Sequence, residues 1–112
     1  MRILRHMVLV GWLVSCASAH AMTTGELLKL ADARGAGNNA AMAFVLGAAD
    51  MADALILLAP DIPQYCRPEN VNGQQLLAVS KRYMENNPKD WHVPAVILIY
   101  RSFQNARPCP SK

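Results

Sequence analysis

Beyond residue 21, two cysteines, one histidine and a pair of aspartates are the residues whose types and spacing could do chemistry. Cys66 stands in "IPQYCRPENVNG" between Pro63 and Pro68, and Cys109 stands in "RPCPSK" between Pro108 and Pro110. A nucleophilic Cys66 would need a histidine base and an orienting group. His92 is the only histidine beyond residue 20, and no glycine-rich or oxyanion-forming stretch accompanies it. A zinc site fares no better, because no close CxxC or HxxxH spacing is present. Asp50 and Asp53 lie one helical turn apart, the spacing at which two carboxylates can share a basic group. A solvated stripe on a largely buried helix is the plainer reading of that pair. The chain therefore reads as a non-enzyme with no catalytic residues, no metal site and no cofactor.

The amino-terminal stretch decides which cysteine chemistry is available. Arg2 and Arg5 precede an apolar run from Met7 to Val14, and small residues follow as far as Ala21. That run is short for a membrane span and has the layout of a signal peptide over residues 1–21. Cleavage before Met22, or two residues earlier, gives a soluble periplasmic domain over residues 22–112. "LVSC" at Leu13 to Cys16 is similar to the lipobox of bacterial lipoproteins. Acylation of Cys16 would instead anchor the protein to the envelope, the one route by which it would meet a membrane. In an oxidising compartment Cys66 and Cys109 are then expected to pair. The bond would close a loop of about 43 residues, for which chain entropy suggests roughly 4 kcal/mol.

The chain holds 11 Lys and Arg against 8 Asp and Glu. Arg2 and Arg5 belong to the leader, so the remainder is nearly neutral. With no basic run longer than Lys81-Arg82, nucleic acid is not an expected partner.

The elements that must position these residues read as four helices. Thr23 and Glu26 have the capping-box spacing ahead of a short helix, which Gly35 ends. A longer helix runs from about Asn38 to Ala59, stopped by Pro60. In it Ala40, Ala43, Gly47 and Ala54 form a low ridge suited to close helix approach, beside a bulkier stripe of Phe44, Ala48, Met51, Leu55 and Leu58. Asp50 and Asp53 interrupt its apolar length, which argues against a membrane span. Asn72 and Gln75 begin a third helix carrying Leu76, Leu77, Val79, Ser80, Tyr83 and Met84 on its periodic face. Asn86-Asn87-Pro88 stops it. Pro94 belongs in the first turn of a fourth, with Trp91 or His92 near its cap. Residues 95–100 could also be a strand by propensity, but Phe103 and Ala106 continue a helical period. The expected architecture is a small all-α, four-helix domain with one disulfide.

The ordered set Cys66, Leu76, Tyr83, Pro88, Pro94-Ala95 and Cys109-Pro110, with Gly47 and Asp50 upstream as a "GxxD" piece, resembles the small periplasmic Tai-type immunity proteins. These act against amidase effectors of type VI secretion. The resemblance implies an all-helical inhibitor, monomeric or a homodimer, that docks on a cell-wall amidase toxin and blocks its substrate cleft. Rigid aromatic and Arg side chains are the expected anchors, with Tyr65, Arg67, Trp91 and Arg101 as candidates. Gly47, Asp50 and Pro94 are expected to be structural. A small helical periplasmic chaperone of the acid-stress type and an envelope structural subunit are the competing readings.

Overall fold

A computed structural model of the chain describes residues 20–62 and 65–107. Helices α1 (Thr24–Asp32), α2 (Ala36–Leu58), α3 (Gly73–Glu85) and α4 (Ala95–Ala106) account for the architecture, with a single 3-10 turn at Pro88–Asp90 before α4. Among the described residues there is no strand, and an isolated bridge joins Thr23 to Pro94. The all-α expectation holds, including at residues 95–106. Residues 1–19 of the expected leader, with Cys16, and Cys109 lie outside the described residues.

Helices α1 and α3 begin at capping boxes that satisfy their first amide groups. The Thr23 hydroxyl accepts from the Glu26 amide while the Glu26 carboxylate accepts from the Thr23 amide at 3.1 Å. Asn72 and Gln75 do the same for α3, both bonds being 2.9 Å. Helix α4 has no side-chain cap. Pro94 occupies its N-cap position, and the Ala95 amide donates across the molecule to the Met22 carbonyl at 2.8 Å.

The α1–α2 corner depends on glycine. Gly35 does not terminate α1, which ends at Asp32. It caps the start of α2 with φ +67°, a left-handed conformation disfavoured for other residues. Two residues on, a Cβ at Gly37 would fall 2.6 Å from the Ala33 Cβ, so a side chain there has no room. Asn38 Nδ2 donates to the Ala31 carbonyl at 3.0 Å and locks the corner.

The core is Leu27, Leu28 and Ala31 of α1, Leu76, Leu77 and Met84 of α3, and Ala95, Leu98, Ile99 and Phe103 of α4, closed over a narrow stripe of α2. That stripe is Ala41, Val45, Ala49 and Ala52. The ridge expected from the sequence points elsewhere: Ala40, Ala43 and Gly47 are exposed, and nothing lies within 4 Å of a Cβ built on Gly47. The error is one of phase, since one residue turns a helix by about 100° and α2 is apolar almost all round. Ala106, expected on the buried side of α4, is also exposed. Lys81 fastens α3 to the end of α1 through Asp32 at 2.7 Å.

Two substitutions test this phase by urea unfolding. Leu98→Ala, at a fully buried position, should cost about 2–5 kcal/mol. Gly47→Ala, in a helix interior with open space around it, should be neutral or stabilise by up to about 1 kcal/mol. A large loss at Gly47 would contradict the orientation of α2.

Candidate protein-docking surface

Because α2 buries only the alanine-rich stripe, much of its apolar surface is left outside. By length and composition alone α2 could cross a membrane, yet it packs on α1, α3 and α4. Only 22% of its most apolar window is buried. The uncovered part faces the outer side of α4. Between them runs a groove of about 390 Å³ lined by Met51 and Leu55 from α2 and by Val96, Ile97, Tyr100 and Arg101 from α4. Met51 is 53% exposed, Val96 46% and Ile97 40%. Further exposed apolar side chains, Ile56, Leu57, Leu58 and Ile62, occur at the end of α2 and just after it. Exposed apolar side chains in this number on a small domain make this face a candidate for contact with a partner.

A second cluster forms where the segment after α2 returns across it. Asp53 Oδ2 lies 3.3 Å from Arg67 Nη1, and Asp50 Oδ1 lies 3.8 Å from Arg67 Nη2. The two carboxylates thus face one basic group, as their one-turn spacing allows. Asp50, expected to be structural, holds the outer side of this cluster with its side chain largely exposed. The Tyr65 hydroxyl lies 3.3 Å from Asp53 Oδ1 and 3.5 Å from the Ala49 carbonyl, and it donates to one or the other. Its ring packs against Phe103 with centroids 4.9 Å apart. Burial pushes the Tyr65 hydroxyl above its ordinary pKa, and the neighbouring Asp53 carboxylate adds to the shift.

The sequence-derived contact residues therefore separate. Tyr65 is only 2% exposed and belongs to the core, so it cannot serve a partner as a surface anchor. Its aromatic ring is used to cover α4 instead. Arg67 is mostly enclosed and paired within the chain. Arg101 is exposed at the groove. Trp91 is 42% exposed and fixed in place, because its Nε1 donates to the Met84 carbonyl at 2.8 Å. Pro94 sits at the start of α4. Cys66 is exposed, and its amide donates to the Arg107 carbonyl at 2.9 Å, which ties residue 66 to the end of α4. Among the described residues no cluster of three or more His, Cys, Asp or Glu could hold a metal ion.

Comparison with known families supplies what the surface alone does not. The family of Rap1a immunity proteins matches residues 15–109, most of the chain. The chain belongs to the Rap1a immunity protein family. Membership makes it an immunity protein directed at a secreted effector, and so a binder of a protein partner. No curated protein and no solved structure matches it. The α2–α4 groove is carried on two helices rather than on a loop.

The sequence holds a partial signal for the groove, although the uniformly apolar α2 does not say which of its stripes faces outward. Met51, Leu55, Val96 and Ile97 are large apolar residues on segments already rich in smaller ones that suffice for the core. The Tyr65 and Arg67 pairing had a weaker signal, the one-turn spacing of Asp50 and Asp53 with an Arg in the segment after α2.

Tyr65 should reveal itself in alkaline titration. The folded state favours its protonated form, so stability falls as pH rises from the usual tyrosine value of about 10 toward the raised folded one. Absorbance near 295 nm should contain a late ionisation that Tyr65→Phe removes. Loss of an early step instead would place Tyr65 in solvent.

Proposed function

We propose that this protein is a non-catalytic periplasmic immunity protein of the type VI secretion kind, which binds a peptidoglycan amidase effector and occludes its cleft. The observation that carries the reading is the match of residues 15–109 to an immunity family, in a chain whose α2–α4 face is apolar and exposed. A leader over residues 1–21 would deliver the protein to the compartment where peptidoglycan is cut, soluble after cleavage or anchored through an acylated Cys16. Arg101 and Trp91 are the proposed anchors, since both are exposed and carried on or beside helices, which lowers the ordering cost of binding. A homodimer would use the same kind of apolar face, and light scattering on the free and bound protein distinguishes the two occupants by mass.

The cross-link belongs to the same proposal. We place it between Cys66 and Cys109. Support comes from the bond between the Cys66 amide and the Arg107 carbonyl, two residues from Cys109, and from the engagement of Cys66, which is not a titrating thiol. Intact mass should rise by two protons on reduction, and two readily alkylated thiols in protein collected from the periplasm would refute the link.

The functional test is capture of the partner from the producing cell's own secreted and envelope fractions, followed by hydrolysis of isolated peptidoglycan with and without the protein. Near-stoichiometric loss of amidase activity is expected. Val96→Asp, at an exposed groove position, should weaken inhibition about tenfold or more by placing a charge in an apolar contact, with little effect on stability. Capture of many unrelated unfolded proteins, favoured at low pH, would point to a chaperone instead.

A further inference from the structure

Helix α2 outruns the core it serves. Its last buried residue is Ala52, so residues 53–58 carry the helix about 9 Å past the buried stripe. At that end Leu57 is 86% and Leu58 73% exposed, beside the exposed Ile56 and Ile62. A turn closes the tip: the Ala59 amide donates to the Leu55 carbonyl at 2.8 Å, and the Ile62 amide donates to the Ala59 carbonyl at 3.1 Å. The result is an apolar prong whose backbone is shaped before any partner arrives.

The prong is electrostatically one-sided. A helix C-terminus carries partial negative charge on carbonyls that lack intrahelical donors. Pro60 has no amide to offer the Ile56 carbonyl, and the last turn of α2 contains no basic residue. Asp61 stands exposed just past that end, where an anion is disfavoured. No Lys, Arg or His occurs in residues 35–66. Asp50 and Asp53 face Arg67, and Arg101 of α4 lines the groove with Leu55, yet Asp61 makes no ion pair among the described residues.

These features restrict what can cover the prong. Solvent serves the exposed acceptors in the free protein. A partner that buries Leu57 and Leu58 displaces that solvent and must bring donors in its place. Lipid acyl chains bring none. A second copy packed prong to prong about a two-fold axis brings only more carbonyls and another Asp61. A basic side chain set in an apolar pocket meets both needs.

We infer that the end of α2, with the turn at residues 59–62, inserts into an apolar pocket of the effector, where a Lys or Arg of the pocket caps the helix and pairs with Asp61. The identity of the partner rests on the immunity reading, whereas the chemistry of the pocket does not.

That chemistry is tested without the effector, by NMR titration of the purified protein with two concave apolar probes, neutral β-cyclodextrin and its per-6-amino derivative with a cationic rim. Both should give saturable shifts at the Leu57 and Leu58 methyls, the cationic probe binding about threefold tighter or more at low salt. Asp61→Asn should reduce that preference, and Leu57→Ser combined with Leu58→Ser should abolish the shifts. Equal affinity for the two probes, or no saturable shift at either leucine, overturns the proposed chemistry. In the inhibition assay the double serine variant and Asp61→Lys should each weaken effector binding about tenfold or more, with unchanged circular dichroism. Effector binding that neither variant alters overturns the assignment to the effector. So does binding to phosphatidylethanolamine–phosphatidylglycerol vesicles, or self-association, that the double serine variant abolishes, since lipid or a second copy would then be the occupant. Amidase inhibition by the wild-type protein reports on the immunity reading separately.

Discussion

The backbone splice between residues 22–25 and residues 91–95 is the constraint on which the rest of the structure depends. The Thr24 amide and hydroxyl both donate to the Val93 carbonyl at 2.9 Å, and the Gly25 amide donates to the Trp91 carbonyl at 3.0 Å. In return the Ala95 amide donates to the Met22 carbonyl at 2.8 Å. Every helix start leaves amide groups without intrahelical partners. Here the starts of α1 and α4 use each other's approach segments to satisfy them. Pro94 fits because it brings no amide that would need a partner at the crossing. The first and last described helices are thereby fixed side by side, and α2 and α3 fill the remaining sides of one small core.

Closing the bundle in this way leaves α2 with more apolar surface than the core can use. The buried stripe consists of three alanines and Val45, so α2 approaches its neighbours closely but contributes little volume. Its larger side chains are displaced outward, and together with Val96 and Ile97 of α4 they make the groove. Near the far end of α2, Asp53 gathers Arg67 and Tyr65, which turns residues 65–67 back over Phe103 and encloses a second hollow, between α3 and α4. The two features lie on different sides of α4.

What the sequence made legible was the punctuation. The Thr23–Glu26 and Asn72–Gln75 boxes, the proline before α4 and the asparagines after α3 are local signals, and local hydrogen bonds carry them out. What it hid was orientation and long-range pairing. Helix α2 is so uniformly apolar that periodicity cannot say which stripe is inside, and the alanine ridge was assigned to the wrong face. Tyr65 resembles a surface anchor because its loop is proline-rich and polar, yet Asp53 and Phe103 draw it inward. The splice of Met22 to Thr24 with Val93 to Ala95 joins main-chain groups some seventy residues apart and has no side-chain signature beyond Thr24.

Protection of a living cell is the most direct measure of the account's central claim that the protein acts on a secreted effector in the periplasm. A strain deprived of the protein would be exposed to its own kin's effector and complemented with either the complete chain or a chain lacking residues 1–21. Survival should return with the complete chain and not with the leaderless one, at equal folded abundance. Equal protection by both, or by neither, would contradict it.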